Sequence, residues 1–527
     1  MYSIPRTVRL PGYDAMMEEH MATPRGGTRT ALGRGGHSHA LRLAAVAMVV
    51  VMSAVMSVLN RQYTLDDALI YYRYIQNAID GLGLVYNAGE YVNGLTSPLY
   101  TYLSLAVAFV MRDVAFSQMF LAWLLLTGAA VTVVFLHPAN GSFTPGAVFA
   151  ALGIVSMRYF YSVVGLETPL LLFLFALVIA LFLRGRTGGW MAVSALLLLT
   201  RGESLFLILV LIAAHVRMRR PLPGWRLWII PMVLLFSHYG FNLAYFGSPF
   251  PATLMAKIQQ GESGLWETGR WGKHLIFLSV GYHFDRYFAG NVLLLACPVL
   301  LAAGGILTGR RDLLTQIIVA FLVLYTAFYI ALSIPNYHWY YAAYYFFMFI
   351  LAGRCIDVLL RHILRIPGTL PRRAGAAAVI LLSAGLLAGQ TTFSAHALPL
   401  AGGYGSYTEI ALWIDGHTPP DAKVATAEIG HIGWFSRRYI IDILGLVSPP
   451  NADLIGQRRF DAWLQYYSPD YFLVHDPLWK HEVSAEGLIA SKAFADVAGF
   501  AFPGYRLLAP VTPVTHRTEI PRTGGTP

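Results

Sequence analysis

Between Ala40 and Thr391, apolar blocks long enough to cross a lipid bilayer recur, separated by short polar turns. A helix needs roughly 20 such residues to span the hydrocarbon core, and only a structure with every backbone group bonded internally is stable there. The blocks fall at about 41–59, 114–136, 146–164, 168–184, 188–200, 203–216, 226–246, 291–308, 313–333, 339–358 and 374–391, which predicts about eleven spans. With 56% hydrophobic and 13% charged residues, the chain falls far below the roughly one quarter charged typical of soluble domains. It is read as a polytopic α-helical membrane protein.

The basic residues fix an orientation. Arg184 with Arg186, the run from Arg217 to Arg226, Arg310 with Arg311, and the run from Arg354 to Arg373 all fall on one side if the N-terminus is inside. That is the pattern of the positive-inside rule, and Arg29, Arg34 and Arg42 agree with it. The net charge of +10 is thus accounted for by topology and excludes a nucleic-acid-binding reading. Residues 1–39 are polar and rich in Gly and Arg, and read as a disordered cytoplasmic tail. The first span lacks a small-residue cleavage site and reads as an anchor. Cys297 and Cys355 lie inside spans, so no disulfide framework is available.

Two non-membrane parts remain. The loop at 60–113 is external and carries interfacial helices, since Leu99 to Met111 is apolar but too short to cross. From Thr392 to Pro527 the long apolar blocks stop; Ala422–Ala427, Tyr439–Leu444 and Tyr471–Val474 read as short strands and Thr408–Ile414 as a helix. A small external α/β domain with a frayed tail after Thr512 is expected. The catalytic body is then 40–391 and the C-terminal domain 392–527.

The external loop opens on Leu65-Asp66-Asp67-Ala68, two carboxylates at the foot of a span in a chain that avoids charge. Ionisable groups in such a place mark function by default. A carboxylate can take a proton from a hydroxyl, and a close neighbour of like charge with partial burial raises its affinity for that proton. Other polar groups share the external side: Tyr71, Arg73 and Thr96 in the same loop, Glu167 in Gly-Leu-Glu-Thr-Pro, Lys257, and His338 and Tyr341 in Asn-Tyr-His-Trp-Tyr-Tyr; Arg201 and Glu203 lie near the same depth. Arg73, Arg201, Lys257 and His338 are the cations that would hold a phosphate leaving group, with Tyr341 beside them; Tyr71, Thr96, Glu167 and Glu203 would line the substrate. Simpler readings stand alongside: the acidic pair as a helix cap, Arg201–Glu203 as a structural ion pair, Lys257 and His338 as interface anchors, and His431 as a structural residue.

The run LDDALIYYRYIQNAIDGLGLVYNAGEYVNGLTSPLY resembles the first external loop of the GT-C glycosyltransferases. Within them it is most similar to the mycobacterial terminal β-(1→2)-arabinofuranosyltransferase family, which shows an Asp-Asp pair, a Tyr-Arg-Tyr-like helix, a Gly-x-Gly-Leu-Val-x-Asn turn and a Gly-x-Thr-Ser/Asn-Pro-Leu exit. GLETPL at 165–170, TRGES at 200–204, FGSPFPATLMAK at 246–257 and EIGHIGWFSRRYIIDILGL at 428–446 follow in family order. Ala252 and Gly202 stand where relatives often have Asn and Pro. The resemblance implies the GT-C fold and a multi-pass enzyme of the bacterial cytoplasmic membrane with its site facing the periplasm or exterior. It implies transfer of a sugar, arabinofuranose first, from a polyprenyl-phosphate donor with inversion, and gives Asp66 the role of general base and Asp67 that of its supporting neighbour. The acceptor would be a glycan, a lipopolysaccharide or a glycoprotein, and the protein a monomer in the bilayer. No cofactor is expected, because the acidic pair alone offers too few ligands for a divalent cation. The competing class is a lipid flippase or ion-coupled transporter with the acidic pair as its ion site. That class calls for mid-membrane charges and inverted repeats, which the chain lacks. A non-catalytic scaffold leaves the acidic loop without a purpose.

Overall fold

The computed structural model describes residues 31–136, 144–221, 223–265, 279–332, 337–396 and 404–511. Most of the expected N-terminal tail, the stretch Ile334–Asn336 and the tail after Val511 lie outside them. The first helix, Ala31–Leu59, starts inside the segment expected to be tail. From Val46 onward the described residues form one compact unit.

Among the described residues, seven helices are long and apolar enough to cross a membrane: Ala40–Leu59, Val114–Val134, Arg226–Phe246, Val292–Gly309, Leu313–Leu332, His338–Ile363 and Thr369–Ala395. The other four expected spans are shorter helices, Pro145–Ser156, Thr168–Leu183, Thr187–Leu198 and Leu205–Arg217. Between the last two, Arg201 is extended and Gly202–Ser204 forms a single tight turn, so the pair is a hairpin broken at Arg-Gly-Glu. Pro98–Met111 is a separate 14-residue helix, too short to span, as expected.

The bundle is drawn together by small residues. A Cβ on Gly146 would lie 1.9 Å from the Gly353 carbonyl oxygen, and one on Gly353 would lie 2.1 Å from the Gly146 oxygen. Gly305 meets the Leu351 carbonyl in the same way, at 2.0 Å. Helix Ala342–Ile363 is therefore gripped on two sides at backbone distance, the contact that lets helices attract in lipid, where apolar burial offers no gain. Asp357 on that helix accepts from the Gly146 N–H at 2.8 Å and caps Pro145–Ser156 from outside.

The C-terminal domain is a five-stranded sheet in the order β2-β1-β3-β5-β4. The strands are β1 Lys423–Thr426, β2 Tyr439–Asp442, β3 Tyr471–His475, β4 Phe494–Asp496 and β5 Tyr505–Pro510. β1 runs parallel to both β2 and β3, with Thr426 opposite Asp442, whereas β5 is antiparallel to β3 and β4. The first three strands were legible as apolar runs; β4 and β5 were not, because their exposed, broken patterns resemble loop. A parallel pair needs a crossover, and here helix Ile429–Ser436 supplies it between β1 and β2. Its N-terminus therefore points out beyond the carboxyl end of β1, where open α/β sheets present their loops to ligands.

Candidate active site

Asp66 and Asp67 form the first turn of the loop helix Asp66–Ile79, whose own N-cap, Leu65, offers no side-chain bond. Asp66 caps a different helix. Its Oδ2 accepts from the Gly430 N–H at 2.9 Å, and its Oδ1 from the His431 N–H at 2.7 Å and the His431 Nδ1–H at 2.8 Å. The carboxylate thus sits on the positive end of Ile429–Ser436, a helix more than 360 positions away. Gly430 is required there, since a Cβ would lie 2.0 Å from the Asp66 carbonyl oxygen.

Asp67, the next residue on the helix, makes no hydrogen bond or ion pair among the described residues. Burial pushes its carboxyl above the usual range; Lys257 opposes this, and Asp66 and Glu167 add to it. Lys257 lies on helix Ala252–Ser263, whose Ala252 N–H is tied to the loop through the Asn93 carbonyl at 2.8 Å. Its Nζ stands 3.9 Å above the Tyr337 ring, to whose hydroxyl it bonds. Burial would depress this ammonium, but Tyr337 and Asp67 hold it above its ordinary value, so it stays charged.

A second cation completes the floor. Arg201 forms ion pairs with both Glu167 and Glu203, and Tyr329 donates to Glu203 at 2.8 Å. Its guanidinium lies 5.3 Å from the Tyr340 ring centroid, and Lys257 acts electrostatically on that same phenol. Tyr71 bridges the two halves: its hydroxyl lies 2.9 Å from Thr96 Oγ1, accepts from the Ser97 N–H at 3.1 Å and reaches Glu167 Oε2 at 3.5 Å.

The structure thus gathers Asp66, Asp67, Tyr71, Thr96, Glu167, Arg201, Glu203 and Lys257 around one centre. Arg73 does not join them. It is buried and donates to the carbonyls of Tyr86, Gly433 and Arg438 and to Asn87 Oδ1, so its donors are spent on docking the loop to the C-terminal domain. His338 and Tyr341 also belong elsewhere. The His338 carbonyl accepts from Tyr159 at 2.7 Å, and the Tyr341 ring lies 4.5 Å from that of His283, in an aromatic cluster with Tyr287 and Tyr345. Their place in a His-Trp-Tyr-Tyr motif on the expected side gave no sign of which way the rings turn.

Two residues that the sequence reading left out of the site belong near it. His431 bonds directly to Asp66, so it ties the external domain to the acidic pair. Glu428, the residue before helix Ile429–Ser436, has Asp66 and Asp67 as charged neighbours. The only hint in the sequence was a Glu closing an apolar strand ahead of Gly-His-Ile-Gly. Among the described residues, no group of three or more His, Cys, Asp or Glu side chains is arranged to hold a metal ion.

Comparison with known proteins adds the following. Residues 399–519 match a family model described as a domain of unknown function, DUF8728. Over 286 residues the chain is 27% identical to the terminal β-(1→2)-arabinofuranosyltransferase of Mycobacterium tuberculosis, a match covering 48% of this chain and 42% of that relative. The chain therefore spans less than half the length of the curated relative it matches. Its structure is similar to that of ArnT from Cupriavidus metallidurans, solved with undecaprenyl phosphate bound, at a TM-score of 0.51 and 14% identity, covering 91% of this chain and 98% of that one. It also resembles the arabinofuranosyltransferase AftD from Mycobacteria, at a TM-score of 0.42 and 13% identity, over 90% of this chain and 40% of that one. The protein is a multi-pass membrane protein with the GT-C fold.

Proposed function

We propose that the protein is an inverting glycosyltransferase that moves a sugar, arabinofuranose first among the choices, from a polyprenyl-phosphate donor to an acceptor hydroxyl outside the cytoplasmic membrane. The observation that carries this reading is the placement of one unencumbered carboxylate, Asp67, beside a charged Lys257 and the Arg201 cluster at the mouth of an apolar bundle. The fold shared with ArnT, which was solved with undecaprenyl phosphate, supports a lipid-phosphate donor. The curated relative, a terminal arabinofuranosyltransferase, supports the sugar.

Asp67, rather than Asp66, is the base in this scheme. The acceptor O–H gives its proton to the Asp67 carboxylate as its oxygen bonds to the anomeric carbon. The bond from that carbon to the phosphate oxygen breaks, and polyprenyl phosphate leaves with the electron pair. Lys257 meets the charge that develops on it, and Arg201, held by two carboxylates, keeps Tyr340 and Glu167 in place. Backside attack gives inversion, and a phosphate leaving group needs no separate acid.

The test is a transfer assay with purified protein in vesicles, decaprenyl-phosphate arabinofuranose and a synthetic arabinoside acceptor. Release of decaprenyl phosphate matched to a product of inverted anomeric configuration is expected, with a loss of at least about 100-fold in Asp67→Asn. Donor crossing the bilayer with no transfer would replace this reading with the flippase.

A further inference from the structure

Asp67 and Lys257 come from separate stretches of chain, are electrostatic neighbours, and form no ion pair among the described residues. A lysine stem is flexible, so the helix under it has to be fixed if the ammonium is to keep its place. Helix Ala252–Ser263 has only 12 residues, too few to be stable alone, and lies outside the spans. Its start is tied to the loop at Asn93, and its end to the C-terminal domain. Carbonyls of a last helical turn lack partners within the helix, and that of Ser263 accepts from Arg458 Nε at 2.7 Å. This places a guanidinium on the negative end of the helix that carries Lys257. One turn earlier, a Cβ on Gly456 would lie 2.7 Å from Gln259 Cδ, so helix Pro449–Gly456 closes on Gln259 as near as its backbone allows.

The backbone that presents Arg458 is itself fixed. Arg458 ends Pro449–Gly456 in the left-handed conformation, φ 58°, with its N–H on the Ile455 carbonyl at 3.0 Å and the N–H of Arg459 on that of Leu454 at 2.9 Å. At its other end this helix is bolted to β2. The fully buried Asp442 side chain accepts from the N–H of Leu444 at 2.8 Å and of Val447 at 2.9 Å, and the Asp442 carbonyl accepts from Asn451 Nδ2 at 2.7 Å. Gly445, at φ 85°, lets the turn pass close to the helix, since a Cβ there would lie 2.6 Å from the Ala452 Cα. β2 in turn is pinned to Asn87 of the loop through the backbone of Ile440. The domain thus grips both halves of the site through one continuous path: helix Ile429–Ser436 on Asp66, and helix Pro449–Gly456 with Arg458 on the Lys257 helix.

We propose that the C-terminal domain fixes the spacing of Asp67 and Lys257, and that Arg458 is the positioning residue that holds Lys257 in place. This gives a task to the domain of unknown function and rests on the reading of Asp67 as base with Lys257 beside it. The titratable groups facing Asp67 are Lys257 of helix Ala252–Ser263, Tyr337 ahead of the turn His338–Tyr341, Glu167 ahead of helix Thr168–Leu183, Asp66 of its own helix and Glu428 ahead of helix Ile429–Ser436. Lys257 is the cation in that set. If its helix drifts, the Asp67 carboxyl loses the neighbour that holds it down and takes up its proton at higher pH.

Two measurements on the full-length protein in nanodiscs test this, and neither needs substrate. Hydrogen exchange over 252–263 should quicken at least about 10-fold in Arg458→Ala, the factor that loss of one hydrogen bond from a charged donor gives. It should return toward wild type in Arg458→Lys, which keeps a cationic donor at the helix end, and stay unchanged in Arg459→Ala, at the exposed neighbour. Infrared difference spectra against pH follow the carboxylate band that is missing in Asp67→Asn. Its midpoint should rise in Arg458→Ala and rise further in Lys257→Met. In the Lys257→Met background, Arg458→Ala should add nothing, because its effect passes through that ammonium. Unchanged exchange in Arg458→Ala overturns the docking role. Faster exchange with an unmoved Asp67 midpoint, or a further shift in the double variant, overturns the positioning role. In the transfer assay the acid limb of kcat/KM should move with the infrared midpoint; an equal loss at every pH would mean a merely structural role. If the wild type transfers no sugar, the transferase reading fails while exchange and infrared still decide what sets the spacing.

Discussion

A carboxylate that accepts three N–H bonds is a poor base, because each bond must weaken before its oxygen takes a proton. Asp66 is in that position and Asp67, the next residue, is not. The two should therefore fail differently. Asp66→Asn turns an acceptor toward N–H donors into a partial donor, and about 1–3 kcal/mol of stability should be lost, read as a lower midpoint of thermal unfolding. Asp67→Asn removes a half-buried charge that makes no hydrogen bond among the described residues, so it should not lower that midpoint while it removes transfer. The pH dependence has a definite sign. Asp67 works only when ionised, and its carboxyl is raised by burial, so kcat/KM should fall with acidification at a pH above the roughly 3.9 of an ordinary aspartate. Lys257 is the group that opposes the rise, so Lys257→Met should move that acid limb further up; a limb that stays put would separate Lys257 from Asp67.

The loop helix Asp66–Ile79 and the docking helix Ile429–Ser436 fold as one element built from two distant pieces of chain. Besides Asp66, the joint holds Arg73 on the carbonyls of Gly433 and Arg438 at 2.7 Å each, Tyr86 on the Ile429 carbonyl at 2.6 Å and Asn87 on the backbone of Ile440. Arg73→Lys keeps the charge but not the planar fork that reaches several acceptors, so about 2–4 kcal/mol should be lost and the C-terminal domain should unfold at lower temperature. Hydrogen exchange over 429–436 is the direct readout, and unchanged protection there would refute the docking role. The sequence marked this loop as special through its paired acids and its Gly-Leu-Gly-Leu-Val-Tyr-Asn turn. It did not show that Arg73 and Asn87 serve the joint, because their partners are backbone carbonyls about 350 positions away that leave no trace in residue type. Capping was weighed for Asp66 as a local property of its own helix; the cap is real but belongs to another helix, a relation that no window of sequence contains.

At the scale of the whole molecule, span positions were legible because bilayer thickness dictates them, and the side of each loop because arginine clusters report it. The bond between Asp66 and His431 now constrains that topology independently of charge: two residues 2.8 Å apart lie on the same face of the membrane, so the chain between them crosses an even number of times. Among the described residues, six of the seven long spans lie between them, and the four shorter helices, if all cross, add an even number more. The Arg310–Arg311 turn follows the span Val292–Gly309, and the run from Arg361 to Arg373 precedes Thr369–Ala395 or opens it, so both basic segments fall opposite the site. A variant with Cys297 and Cys355 replaced by Ser or Ala and one cysteine placed at Asp80, at Lys492 or at Arg365 checks this directly. A membrane-impermeant maleimide added to right-side-out vesicles should label the first two and spare the third, and inverted vesicles should reverse the result. If Asp80 and Lys492 label from opposite sides, the joint between loop and domain cannot exist in the membrane, and the site built on it is lost with it.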